Sequence, residues 1–401
     1  MSEVSSTAND SLLRVEGVLP VKTNRCNSKS EEYRLNLVLP FICQKWAAYG
    51  GPATALRFFE ALSQHFKHVR IVSSSERREQ FEPQRWPGWV LDDGNLAQRS
   101  IAFLGDEESS LSLCPNDLFI ATWWATATYI KRVIQIQAKM FGGKSQRFVY
   151  LIQDYEPGFY PWSADYAYAE ATYAGRNDTI AVFNTKLLAD YFGRQGWTFS
   201  EHHIFEPMLN PELRTRIKRN TPKERRLLVY GRPKAPRNAF PLVIDALRVW
   251  ADQFPLAREW DVMSAGWKHD DIPLNSDISL KSLGLLGLRE YAQELSRCWL
   301  GLSLMISPHP SYPPLEMAEF GAWVVTNNFA NKDISRYSPN ILSVTTLTPE
   351  EIADKLAWCC AQYREGLCAV VEGIPSVLRS EGDEFPFSAT IANSLRAAYT
   401  S

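Results

Sequence analysis

From residue 35 onward, short apolar runs alternate with longer segments in which apolar residues recur every three or four positions. The first pattern is that of strands buried on both faces and the second that of crossover helices, so the alternation predicts a parallel sheet. "LNLVLPFI" (35–42) reads as the first strand, and after a Gly50-Gly51 turn Leu56, Phe59, Leu62 and Phe66 mark one face of a helix. "HVRIVSS", "DLFIATWW" (117–124), "RFVYLIQDYE" (147–156) and "TIAVFNT" (179–185) continue the strands, and "KLLADYFGRQG" is a helix that closes at glycine. The polar, proline-flanked stretch "PELRTRIKRNTPKERR" (211–226) has no apolar period and marks a linker, its basic run solvated. Then the alternation restarts: strand "RLLVYGRP", a helix over 240–254 with Pro241 in its first turn, and strands "WDVMSAGW", "LGLSLMIS" and "AWVVTNN". The expected architecture is two doubly wound α/β domains, 34–215 and 216–382, facing a central cleft. A flexible tail (1–33) precedes them, and a last helix within 383–401 packs back on the first domain.

Composition narrows the function classes. A chain of 401 residues, 45% hydrophobic, buries enough for two or three domains. With 43 basic and 45 acidic residues and a formal charge of −2, it lacks the basic surface that nucleic acid requires. The seven cysteines (26, 43, 114, 298, 359, 360, 368) are odd in number and form no C-x-x-C pair, which reads as a reducing, cytoplasmic compartment. The first thirty residues are polar and lack a signal peptide's basic flank and apolar core, and the Asn177-Asp178-Thr179 sequon reads as accidental. The longest apolar tracts, near 118–130 and 298–307, fall short of the roughly 20 residues that span a bilayer. A soluble chain is expected, with peripheral contact at the inner face of the membrane left open.

Ligands of open α/β sheets bind at the carboxyl ends of the strands. No G-x-G-x-x-G follows a predicted strand, which disfavours a dehydrogenase. Gly143-Lys144-Ser145 imitates the end of a P-loop, but Ala138 stands where its first glycine belongs. There is no D-x-D and no close His/Cys cluster, and the adjacent His202 and His203 point to opposite faces of a strand, so no protein-held metal is expected. Anion binding remains. Arg232, Lys234 and Arg237 follow the strand "RLLVYG"; in isolation such a trio reads as a solvated loop, but there it aims cations at the cleft, where guanidinium groups match phosphate oxygens. "LGLSLMISPHPSYPPLEMAEFGAWVVTN" reads as strand, proline-rich loop, helix (313–320), glycine stop and strand. A helix start there suits a diphosphate, and Glu316, in about the first turn, either accepts bonds from a ribose diol or caps the helix. Asp154 and Glu156, at the end of a first-domain strand, are candidates to orient an acceptor hydroxyl or act as base, or are solvated strand-end acids. The aromatics of "YEPGFYPWSADYAY" are candidates for stacking on sugar rings, about half of them serving packing instead.

In "GRPKAPRN" (231–238), "SLGLLGLREYAQELSRCWLGLSLMISP" and "SYPPLEMAEFGAWVVTN" the second domain resembles the retaining glycosyltransferases of family four, with the GT-B fold of two Rossmann-like domains. In the first domain, "YGGPATALRFFEAL" looks like that family's glycine turn and helix. "YLIQDYEPGFYPW" (150–162) is similar to the WsaF-like rhamnosyltransferases of surface-polysaccharide assembly. The resemblance spans about residues 35–400. It implies a metal-independent transfer of L-rhamnose from dTDP-L-rhamnose, a substrate rather than a cofactor, onto a cell-surface, S-layer or O-antigen glycan that is free or lipid-linked. Arg232 and Arg237 would neutralise the leaving diphosphate, Glu316 would hold the ribose, and Tyr312 with neighbouring amides would meet phosphate. Gly284 and Leu286 match the base-binding segment, and Gly51 would let backbone approach the sugar. Two departures stand out. Leu285 occupies a place where a phosphate-facing lysine is expected, leaving Lys234 as a substitute, and Pro308 replaces the first glutamate of the family's E-x7-E pair. Competing readings are a nucleotide-sugar hydrolase or epimerase of the same fold, and a non-catalytic glycan-binding relative.

Overall fold

The computed structural model describes residues 21–28, 30–43, 50–174, 177–218, 220–370, 378 and 382–397. They form two compact units: Met1–Phe205 joined by Phe385–Ser401, and Glu206–Glu384.

The first unit contains β1 (Thr23–Arg25), β2 (Arg34–Leu39), α1 (Gly50–Ser63), β3 (His68–Ser73), β4 (Val90–Leu91), β5 (Arg99–Phe103), β6 (Leu111–Leu113), β7 (Asp117–Ala121) and α2 (Trp124–Phe141). It continues through β8 (Phe148–Ile152), α3 (Ala164–Ala171), β9 (Thr179–Asn184), α4 (Lys186–Arg194) and β10 (Glu201–Phe205). Its main sheet has the order β10-β9-β8-β7-β2-β3-β5-β4, every neighbouring pair parallel. Strands β2, β7, β8 and β9 are buried at every position, as mainly apolar strands of a parallel sheet covered on both faces are. Pro40 follows the last residue of β2, so the first strand stops short of the expected residue 42. On α1 the buried face is Ala55, Phe58, Phe59 and Leu62; Leu56 is half-buried and Phe66 lies beyond the helix. Positions i, i+3, i+4 and i+7 form the stripe of a helix packed on one face.

Under the amino ends of β2, β3 and β7 lies a buried ionic cluster. Arg34 forks onto Asp117 at 2.6 and 2.8 Å, and Arg70 reaches Asp92 at 3.0 Å and Asn36 at 2.7 Å. Within the expected tail, β1 pairs in parallel with β6, so residues 23–25 are ordered by a ladder; residues 1–20 lie outside the described ones.

The second unit comprises α5 (Pro211–Arg214), β11 (Glu224–Gly231), α6 (Phe240–Gln253), β12 (Asp261–Gly266), β13 (Ile272–Pro273), β14 (Ser279–Gly284) and α7 (Leu288–Arg297). Then come β15 (Cys298–Leu302), α8 (Tyr312–Glu319), β16 (Trp323–Asn327), β17 (Ile341–Val344) and α9 (Pro349–Ala361). The sheet order is β13-β14-β12-β11-β15-β16-β17, parallel except for β13 against β14. The stretch read as a linker holds structure: Asn210 caps α5 with its side chain, Pro211 takes the first helical position, and β11 begins at Glu224. Buried Lys223 donates to the carbonyls of Leu295 and Phe320, closing the ends of α7 and α8. The last helix, α10 (Ser388–Ala397), belongs to the first unit. It packs on α1, with the Phe385 ring edge-on to Phe58 at 5.2 Å and Ser388 bonded to His65 at 3.2 Å.

Candidate functional site

In the second sheet, strand order reverses between β11 and β15: later strands lie on one side of β11 and the intervening ones on the other. In open α/β sheets ligands bind at the carboxyl edge beside such a switch point. Here the loops that leave the two strands carry Arg232, Lys234 and Arg237 (after β11) and the segment 303–311 (after β15).

Arg232 is the residue after Gly231, whose register partner across the ladder is Gly266, the residue before Trp267. The two side chains therefore leave adjacent strands together, and the Arg232 guanidinium lies 4.6 Å from the centre of the Trp267 ring. The glycines permit this approach. Gly266 has φ +145°, and a Cβ there would fall 2.1 Å from the Gly231 carbonyl oxygen; one on Gly231 would fall 2.0 Å from Ser264 Oγ. Lys234 is exposed, and Arg237 is half-buried within a short 3-10 turn, Pro236–Asn238.

The two loops are laced together. Ile306 N–H donates to the Arg237 carbonyl at 2.7 Å, and the Asn238 amide donates to the Leu304 carbonyl at 3.1 Å. Buried Asn327 grips Met305 at both its N–H (2.7 Å) and its carbonyl (3.1 Å), and buried Lys332 donates to the same carbonyl at 2.5 Å. Ser311 N–H donates to His309 Nδ1 at 3.0 Å, which puts the proton of a neutral imidazole on Nε2. Sequence reasoning singled out neither Trp267 nor Tyr291, Asn327 and Lys332; the apolar runs that predicted these elements say nothing about polar side chains anchoring them.

This lacing sets the start of α8. Ser311, at φ +70°, turns the chain, and Tyr312 opens the helix at intermediate exposure. Pro313 and Pro314 follow and have no N–H, so the helix start presents fewer amides to an anion than its position suggested. Glu316 is in the second turn; the first turn contains no acidic residue, so Glu316 does not cap the helix. Its Oε2 instead accepts a bond from Tyr291 Oη of α7 at 3.0 Å. Burial pushes the Glu316 carboxyl up to about 7, the Tyr291 bond pulling the other way. The residue is half-buried. Tyr291 is raised far above an ordinary phenol by burial and by that carboxylate.

Gly284 closes β14 at φ +69°, a backbone that favours glycine, and the position of a Cβ there is 3.3 Å from Lys268 Cδ. Leu285 is exposed and Leu286 half-buried. Lys268, from the loop after β12, therefore lies beside Gly284.

In the first unit the switch falls between β2 and β7. Gly50, at φ +58°, opens α1 close to it, and the Gly51 carbonyl accepts from the Gln153 amide at 3.1 Å. A Cβ on Gly51 would meet Gln153 at 3.4 Å, an ordinary contact, so the steric demand for glycine rests on Gly50. Asp154 is buried, with Oδ1 accepting from Tyr155 N–H at 2.9 Å. Glu156 is also buried: its Oε2 accepts from the Trp124 N–H at the start of α2 and from Tyr150 Oη at 3.1 Å. That is the position of a carboxylate serving a helix amino terminus, not of a solvated strand-end acid. Beyond it, Tyr155, Tyr173 and Phe192 pack edge-to-face, whereas Trp162 is 94% exposed and Tyr168 46%, so the aromatic stretch divides into core and surface.

No group of His, Cys, Asp and Glu able to hold a metal occurs among the described residues, and no described helix is long and apolar enough to cross a membrane.

Two tandem parallel-sheet units, with the final helix joined to the first, define a glycosyltransferase fold of the GT-B class. Among solved structures the chain is similar to Anabaena Alr3699/HepE in complex with UDP and glucose (14% identity, TM-score 0.59, covering 92% of this chain and 100% of that one). It is also similar to α,α-trehalose 6-phosphate synthase from Burkholderia multivorans (10% identity, TM-score 0.57, covering 93% and 100%). Residues 34–186 match the WsaF N-terminal domain and residues 225–357 the WsaF C-terminal domain; the chain belongs to the WsaF family. An O-antigen biosynthesis protein, RfbC, of Myxococcus xanthus is 32% identical over 244 residues, which is 60% of this chain. The chain spans 18% of that protein's length.

Proposed function

We propose that this chain is a glycosyltransferase of surface-polysaccharide assembly, moving L-rhamnose from dTDP-L-rhamnose to a growing glycan, with no cofactor or metal of its own. The observation that carries the reading is the carboxyl edge at β11/β15, where a guanidinium stacked on an indole adjoins a laced loop leading to Glu316. Family membership and the loop "YLIQDYEPGFYPW" support the choice of rhamnose. Arg232 and Arg237, with Lys234 or Lys268, take up charge as the sugar–diphosphate bond breaks; fixed cations do this without reorganisation. Glu316 accepts the ribose hydroxyls, Gly284 and Leu286 line the base, and Tyr312 meets phosphate. In the first unit Gly51 and Asp154 face the sugar and the acceptor hydroxyl, with Glu156 supporting the loop that carries Asp154. Exposed Trp162 and Tyr168 offer faces to glycan rings, lipid-linked or free, at the inner side of the membrane.

The test is a binding panel of dTDP-, UDP- and GDP-sugars on the wild type, Arg232→Ala and Glu316→Ala, followed by turnover with and without acceptor glycan. The reading expects dTDP-rhamnose to bind best and both variants to weaken it. Equal binding of all nucleotides would remove the rhamnose assignment, and unchanged binding in both variants would misplace the site. Donor consumption without acceptor would make the chain a hydrolase.

A further inference from the structure

The cysteines of this chain form no sequence motif, yet the fold brings two of them together. Strand β1 runs parallel to β6 with Arg25 opposite Leu113, so Cys26 and Cys114 are the next residues along each chain. Cys26 N–H donates to the Leu113 carbonyl at 2.8 Å, extending the ladder through the cysteine itself. Parallel neighbours have Cα atoms about 4.8 Å apart, inside the window of about 4.4–6.8 Å that a disulfide spans. Side chains at paired positions leave the same face of the ladder, so continuing the register puts both thiols on one face. Cys114 is buried, whereas Cys26 is partly accessible and also points its thiol at the Ser28 carbonyl, 3.3 Å away.

We propose that Cys26 and Cys114 are an oxidation-dependent disulfide pair that staples the N-terminal strand to β6. The strand is otherwise held by contacts that include a three-residue ladder, the Arg25 guanidinium over Phe141 and at the Met140 carbonyl, the Lys22 bond to Glu107, the Asn27 N–H bond to the Gly94 carbonyl and Val21 against the core. The chemistry balances with a glutathione disulfide as oxidant. The accessible Cys26 thiolate attacks one glutathione sulfur, forming a mixed disulfide and expelling one glutathione thiolate. Cys114 then loses its proton and attacks Cys26 Sγ, expelling the second. Two protein thiols are oxidised, and the two protons they lose end on the two expelled glutathione thiolates, which leave as reduced glutathione. The second step is slow near neutrality, because burial and the neighbouring Asp117 carboxylate push the Cys114 thiol up. Closure therefore accelerates as pH rises. The pair is independent of the proposed transfer, since it sits before the amino end of β7, away from the strand ends that carry the candidate site.

The experiment equilibrates the full chain in graded reduced/oxidised glutathione, blocks free thiols with N-ethylmaleimide, and maps a non-reducing tryptic digest by mass spectrometry. The expected product is one cross-link between peptides 26–29 and 100–131, absent from Cys26→Ser and Cys114→Ser. The oxidised wild type should melt roughly 5 °C higher than the reduced form, and Cys26→Ser should show no such shift. Should either serine variant fold poorly, Cys26→Ala and the map of the wild type still decide. Glutathione remaining on Cys26 with Cys114 blocked by maleimide, or cross-links scattered among other cysteines, would overturn the pairing.

Discussion

Replacing Glu316 with glutamine separates its charge from its shape. The rise of its carboxyl from the ordinary 4.5 to about 7 corresponds to about 3 kcal/mol of preference for the neutral form, which screening through its accessible surface reduces to about 2 kcal/mol. A pKa raised in the folded state contributes stability that is fully present below the unfolded value, near 4.5. That stability drains away as pH climbs and is gone once pH passes the folded value of about 7. An amide has no such dependence. In urea unfolding at pH 5 to 8, Glu316→Gln should therefore gain on the wild type by about 2 kcal/mol across the series. Ribose hydroxyls donating to the carboxylate would favour its ionised form, so nucleotide Kd in the wild type should worsen about tenfold per pH unit below 7 and stay flat in the variant. A stability difference that is constant from pH 5 to 8 would refute the placement of this carboxyl. A pH-independent wild-type Kd would refute its role as the ribose ligand while leaving the titration intact.

Tyr291→Phe removes the bond that lowers the Glu316 pKa, so the midpoint of both pH curves should move upward; an unmoved midpoint would mean the phenol does not tune that group. Arg232→Ala should weaken donor binding by about 1.5–3 kcal/mol in calorimetry with little change in melting, because the guanidinium stacks on an indole that is itself 37% exposed. Asp117→Asn strips a carboxylate from two buried arginines and should cost about 3–5 kcal/mol in urea unfolding. Gly266→Ala places a methyl against the Gly231 carbonyl at a backbone angle hostile to side chains and should cost at least about 2 kcal/mol, read as a lowered unfolding midpoint.

The central strands of the first sheet were legible because burial on both faces leaves a near-continuous apolar run: β7, β8 and β9 lie within the segments that the sequence places there. Short edge strands such as β4, β13 and β17 were not, since two to four residues are too few to show a period. The stretch 211–226 shows the opposite failure. Its polarity suggested a linker, but an asparagine cap and a proline at the first helical position suffice to form α5 without an apolar stripe.

By itself the sequence determined the succession of strands and helices, their division into two α/β units, and the placing of Arg232 and Arg237 in a loop that follows a strand and of Glu316 in a helix. These depend on local periodicity and on the loop that follows each strand. Tertiary structure alone decided that Trp267 lies under Arg232, that Tyr291 bonds Glu316 and lifts it from a capping role, and that Cys26 meets Cys114. Each of these depends on which strands and helices become neighbours, and that is set by packing between segments distant in the chain.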